Sequence, residues 1–243
     1  MSEWWTYRPG DFLMFAPATY WRLFELHNAT WWPAPPLLLL AGLAWTGWLA
    51  WTARHAPFAR AAPGSSTPPA GAPWLRLGAA GAAAAWAFVA TAFLLHRYAP
   101  INWAASAFAA GFLVQAAGLA TLAALPGLAL APHGRRRSVG LLLCAWAVVG
   151  QPLLAVATGR PWAQAEVFGL APDPTAIATL GLLLWTSTTW RPARWLPTAL
   201  AILPVTWCAI SAATLWTMGS AQGWVPAAAV LVAAWAAWGR RPA

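Results

Sequence analysis

Between residues 33 and 239 the chain is built of stretches about as long as a bilayer is thick, and few folds are compatible with that feature. Seven apolar runs occupy 33–53, 73–95, 103–125, 138–157, 174–190, 196–218 and 222–239. A helix needs about 20 apolar residues to cross a hydrocarbon core about 30 Å thick, and in lipid every backbone N–H and C=O must be paired within the protein. Only 8% of the residues are charged, against roughly 25% in a soluble domain, so a water-soluble globule is excluded. The expected architecture is all-α, a polytopic integral membrane helical bundle of about seven transmembrane helices over 33–239. Residues 1–32 precede it as an interfacial segment, and 240–243 form a tail. The fifth run is short, and Pro152 and Pro204 interrupt the fourth and sixth, so kinks are expected at both prolines.

Charge orients the bundle. All fourteen basic residues are Arg. Arg54, Arg60, Arg76, Arg135, Arg136, Arg137, Arg191, Arg194, Arg240 and Arg241 fall on one side of the alternating connections, and Arg8, Arg22, Arg97 and Arg160 on the other. The positive-inside rule then puts the C-terminus in the cytoplasm and the N-terminus outside, as in a multi-pass protein of a bacterial inner membrane. All five acids, Glu3, Asp11, Glu25, Glu166 and Asp173, fall on the outer side. No basic, apolar leader opens the chain, so the N-terminal segment is expected in the mature protein. Tryptophans mark the boundaries: Trp31, Trp32, Trp103 and Trp224 outside, and Trp51, Trp74, Trp190, Trp195 and Trp238 inside. Dispersed arginines give no basic domain for nucleic acid. The expected partners are the lipid bilayer and a membrane protein or a second copy of the chain.

Residues 16–32, "APATYWRLFELHNATWW", start a helix at Pro17 and mix Tyr20, Trp21 and Phe24 with Arg22, Glu25 and His27. That mixture suits an amphipathic helix lying over the outer end of the spans. Small-residue faces at 77–86 and 103–112 predict a close hairpin of the second and third spans. Cys144 and Cys208 sit within apolar runs and read as reduced packing residues.

Candidate ligand-binding residues gather at the outer connections and span ends: Arg22, Glu25, His27, Asn28, His96, Arg97, Tyr98, Asn102, Arg160, Glu166 and Asp173. Gln115 is a deep polar residue in the third span. No catalytic residue and no cofactor is predicted. A retinal Schiff base needs a lysine, and the chain has none. His27 and His96 are the candidates for a metal or haem, imidazole being a common ligand. Asp173 in "APDPTAIATLG" fits the N-cap of the fifth span with Pro174 at its first position. A role for its charge in the outer cluster is the alternative.

Three stretches carry a resemblance: "EWWTYRPGDFLMFAPATYWRLFELHN", "LLHRYAPINWAASAFAAGFLVQA" and "GRPWAQAEVFGLAPDPTAIATLGLLL". They resemble the multi-pass bacterial family known as domain-of-unknown-function family 6064, from the N-terminal helix to the fifth span, more weakly beyond. The resemblance implies a membrane protein and no activity. Three functions stay open: a non-catalytic protein binding a small apolar molecule or membrane partner at its outer Trp-rich end, a transporter or channel for a neutral solute, and an outer-face metal- or haem-dependent enzyme.

Overall fold

The computed structural model describes residues 15–55, 72–131 and 134–238. Glu3, Arg8, Asp11, Arg60, His133, Arg240 and Arg241 lie outside the described residues. Eight helices dominate: α1 Pro17–Thr30, α2 Ala34–His55, α3 Ala72–Phe88, α4 Ala105–Ala124, α5 Arg135–Ala145, α6 Pro172–Trp185, α7 Ile202–Thr217 and α8 Trp224–Ala237. Helix α3 continues as a wider π-helix, Val89–Tyr98, and α5 continues through a π-turn, Trp146–Gly150, into Gln151–Ala157. A turn of helix at Leu196–Ala199 precedes α7. Five helical segments are long and apolar enough to cross a membrane: Ala34–His55, Pro73–Tyr98, Ala105–Ala124, Arg135–Ala157 and Arg191–Thr217.

α1 buries Tyr20, Leu23, Phe24 and His27, the i, i+3, i+4, i+7 stripe of an amphipathic helix, and leaves Arg22 exposed. Pro17 opens it as expected. α3 and α4 pair along Ala79, Ala82, Ala105 and Ala109, all buried, so the small-residue hairpin forms. All nine tryptophans expected at the boundaries are exposed. Trp86, Trp185 and Trp207, which lie within the apolar runs, are buried. The free cysteines Cys144 and Cys208 are also buried.

The fifth run differs most from its expectation. α6 has 14 residues, every one buried, and spans only about 21 Å at 1.5 Å per residue. It stops at Trp185 rather than residue 190, because Thr186–Thr188 form a strand, β2, pairing antiparallel with β1, Leu128–Leu130. This small two-stranded sheet accompanies a fold that is otherwise helical, in keeping with the expected all-α class. β-branched Thr186 and Thr188 suit a pleated strand, and Leu128 pairs with Thr188 and Leu130 with Thr186. α6 is the axis of the bundle. It crosses α5 at Gly140 and Gly181, where a Cβ on Gly181 would lie 2.7 Å from the Gly140 carbonyl oxygen and one on Gly140 would lie 2.7 Å from that of Gly181. Only glycine allows two backbones so close.

Both expected proline irregularities are present. The ladder widens just before Pro152, with the Gln151 N–H reaching the Trp146 carbonyl, the i→i−5 pattern of a π-bulge. Before Pro204 the helix breaks at Leu200–Ala201. Proline has no N–H for the carbonyl four residues back, here Leu200. Gln115 Nε2 fills that place, donating to the Leu200 oxygen at 2.9 Å.

Connections gather at two ends. The sheet end carries Arg54, Arg76, Arg135, Arg136, Arg137, Arg191 and Arg194, and the α1 end carries Arg22, Arg97 and Arg160. Arg76 donates to the Ala123 and Leu125 carbonyls (2.9 and 2.7 Å), capping α4, and Arg137 Nε donates to Ala131 (2.6 Å).

Candidate functional site: a roofed polar chamber beside an apolar cavity

Helix α1 is fastened as a roof by polar contacts at its edges and aromatic packing beneath. Asn28 Nδ2 donates to the Ala163 and Ala165 carbonyls at 2.9 and 2.8 Å. Gln164 Nε2 donates to Glu25 Oε2 at 3.2 Å, and Arg22 pairs with Glu25 one turn away. The Gln164 bond, then Arg22, hold the Glu25 carboxyl below its ordinary range. The Arg160 guanidinium lies 3.6 Å from the centroid of the Trp21 ring, a cation–π contact. Phe24 stacks on Phe93 at 5.0 Å, and Tyr20 packs edge-on to Phe24 at 5.3 Å.

Beneath the roof the buried segment 165–171 runs into α6 and brings two carboxylates inside. Pro172 rather than Pro174 takes the first helical position, Ala171 occupies the cap without a side-chain bond, and Asp173 falls second in the helix. The N-cap assignment of Asp173 is therefore corrected. Either proline satisfies the first-turn preference, and the structure uses the earlier one. Asp173 turns toward α7, accepting from Trp207 Nε1 at 2.8 Å and Ser211 Oγ at 2.5 Å. Thr175 does the reaching back: its Oγ1 accepts from the Gly169 N–H at 3.0 Å and donates to the Ala171 carbonyl at 2.7 Å.

Glu166 is as buried as Asp173. Its Oε2 accepts from Gln151 Nε2 at 3.3 Å, and Gln151 Oε1 accepts from Trp146 Nε1 at 3.3 Å. Burial, then the neighbouring Asp173 charge, push the Glu166 carboxyl well above its ordinary range. Burial first, then both acids, raise the Tyr20 phenol. Arg160 closes the rim, its Nη2 donating to Gln222 Oε1 at 3.0 Å while Gln222 Nε2 donates to Thr158 Oγ1 at 2.9 Å.

The cluster read from the sequence thus divides. Arg160, Glu166, Asp173 and Tyr98 meet in or beside the chamber, while Arg22, Glu25 and Asn28 belong to the roof. His96 is exposed. Asn102 Oδ1 accepts from the Ala104 N–H at 2.9 Å, a local turn before α4. Gln115 is spent on the broken helix. Trp207, Ser211 and Gln222 are not among the candidates read from the sequence, and Tyr20 figures there only as part of the amphipathic helix. Trp207 and Ser211 are four apart and so share one helix face, the signal that could have found them.

His27 stands apart. It is 1% exposed, and among the described residues neither ring nitrogen has a hydrogen-bond partner. Its ring packs against Trp31, Phe88 and Phe93 at centroid distances of 6.4, 6.0 and 5.4 Å. Burial, then the Arg97 charge, lower its pKa from 6.5 to about 4.

Trp31 and Phe88 also line a cavity of about 730 Å³ between α2 on one side and α3, α5 and α6 on the other. α2 touches the bundle through a narrow stripe, Gly42 fitting against Val148 and Trp45 lying over Gly78, and the space beside that stripe stays open. The hydroxyls and the thiol in its walls are already engaged. Thr46 Oγ1 donates to Gly42 (2.9 Å), Thr179 Oγ1 donates to Thr175 (2.8 Å) and accepts from Trp86 Nε1 (2.8 Å), and Cys144 Sγ lies 3.7 Å from the Ala178 carbonyl.

Five helices long and apolar enough to cross a membrane, packed around a buried central helix, define the class: an apolar all-helical bundle. More narrowly, the chain belongs to a family of unknown function (DUF6064), whose sequence model matches residues 75–241, more than half of its length. The match begins within α3 and runs through α8, so it takes in the last two helices, where the resemblance looked weaker, and leaves out α1 and α2. No curated protein and no solved structure matches the chain.

Proposed function

We propose that this protein is a seven-span inner-membrane protein that binds an apolar molecule, a hydrocarbon chain, in the cavity between α2 and α3. The cavity's chemistry carries the reading. Its hydroxyls and thiol are already turned to backbone carbonyls, so a polar solute entering would give up its bonds to water without replacement, at roughly 1–3 kcal/mol per group, whereas an alkyl chain gains by filling the space. From Ala34 to Thr46 the α2 wall runs about 18 Å at 1.5 Å per residue, close to half of a hydrocarbon core about 30 Å thick. The site therefore has the depth of one leaflet. The arginines at the sheet end and the α1 roof at the other support an orientation with α1 outside, with α6 and α8 completing the seven crossings inside the shelter of the longer helices.

The same observations count against a carrier of neutral solutes working through Gln115, whose amide is committed to Leu200. Gly81 provides the test. It lines the cavity, and a Cβ there would meet nothing within 4 Å, so Gly81→Phe fills the cavity without forcing the helices apart. A lipid carrying a photoreactive group on its chain should label cavity-wall peptides of α2 and α3 in the parent protein and not in Gly81→Phe. Equal labelling in both would remove the proposal.

A further inference from the structure

Resting on that reading, we propose that the ligand is an anionic phospholipid, with one acyl chain in the cavity and its phosphate seated on Arg97 at the α1 end of α3. Arg97 is half-buried and held in place, its Nη2 donating to Thr30 Oγ1 at 2.6 Å while that hydroxyl donates to the Leu26 carbonyl at 2.8 Å. Among the described residues its positive charge meets no carboxylate. Glu25 is taken by Arg22 and Gln164, Glu166 by Gln151, and Asp173 by Trp207 and Ser211. Thr30 leads directly into Trp31, which packs edge-on to Phe88 at 4.8 Å, and both rings line the cavity. The guanidinium is therefore tied to the mouth of the apolar site.

The neutral imidazole of His27 is enclosed behind the same two rings, with no hydrogen-bond partner among the described residues. The mouth thus carries the positive charge of Arg97 without an anion among the described residues. A guanidinium offers a planar fork of donors that matches phosphate oxygens, and its position at the end of a spanning helix is the level of lipid headgroups. The chain side of the site argues for a two-chain lipid. Leu77, Gly81 and Ala84 line the cavity yet are exposed, so it opens sideways along its length and a second chain can stay in the bilayer.

Native mass spectrometry of the full chain, delipidated in detergent and titrated with phosphatidylglycerol or diacylglycerol of identical chains, tests this, because diacylglycerol has the same two chains and no phosphate. The parent protein should hold one phosphatidylglycerol about tenfold more tightly than diacylglycerol, the scale of one charge-assisted contact. Arg97→Gln should reduce phosphatidylglycerol to the diacylglycerol level, Arg97→Lys should keep a preference, and Gly81→Phe should lose both lipids. Equal affinity of the parent for the two lipids, or an unchanged preference in Arg97→Gln, overturns the phosphate assignment and leaves the chain site standing. Tighter binding of oleate than of phosphatidylglycerol overturns the two-chain assignment. Unaltered binding of both lipids by Gly81→Phe overturns the cavity reading itself.

Discussion

Acidification should loosen the α1 roof through His27. The imidazole is buried against Trp31, Phe88 and Phe93 without a hydrogen-bond partner among the described residues, and its pKa falls from 6.5 to about 4. Because the folded value lies below the free one, the neutral ring's contribution is fully present above pH 6.5. It is lost as pH falls from there through 4. The whole difference, about 2.5 pH units at about 1.4 kcal/mol each, amounts to roughly 3 kcal/mol, of which about 2 kcal/mol is already lost at pH 5. The loss falls on α1 rather than on the spans, since local elements open at lower cost than the whole. Glu166 acts in the opposite sense: its carboxyl is raised by burial, so its contribution is present at low pH and is lost as pH rises. Hydrogen exchange of the 17–30 amides in detergent, at pH 7.5 and 5, reads the roof directly. The parent should exchange about thirtyfold faster at pH 5 after correction for intrinsic rates, the equivalent of about 2 kcal/mol. His27→Phe should remove that acid sensitivity. An acid response of the same size in His27→Phe, or a His27 titration observed near 6.5, would refute the argument.

Three further outcomes test the packing. Gly181→Ala places a methyl group 2.7 Å from the Gly140 carbonyl oxygen and from Cys144 Sγ and should cost about 1–3 kcal/mol by overpacking, seen as a lower melting temperature in detergent; Gly81→Ala, in open space, should not. Gln115→Leu removes the donor to the Leu200 carbonyl and should destabilise by about 1–3 kcal/mol, and an unchanged melt would show that the Pro204 break does not need it. Asp173→Ala orphans Trp207 Nε1 and Ser211 Oγ together and should cost at least about 2 kcal/mol. Asp173→Asn, keeping one acceptor oxygen, should cost less, and equal melts for the two variants would deny that these bonds matter.

The five long apolar helices are legible in the sequence because hydropathy over a bilayer's width is set by lipid, whatever the helices pack against. Pro152 and Pro204 were readable as irregularities because a missing N–H acts locally. What they recruit was not: Gln115 is distant in sequence from Leu200, and only the packing of α4 against the broken helix joins them. The fifth run reads past Trp185 because Thr186–Thr188 are small and uncharged, with hydroxyls that can bond within a helix, and their strand character depends on the partner Leu128–Leu130. Asp173 reads as a cap because "PDP" offers two prolines for one position. The chamber residues were visible as outer polar residues, but their burial follows from α1 folding over them. The cavity left no trace in the sequence, since it is the space between α2 and α3 rather than a property of either.

An experimental structure of the protein in nanodiscs containing phosphatidylglycerol bears most directly on the central claim. The account predicts a continuous tube of density between α2 and α3, running from Trp31 past Gly81 toward Trp45, with a headgroup feature at Arg97. α2 closed against α3 with the cavity collapsed, or an open cavity holding only ordered water, would contradict it.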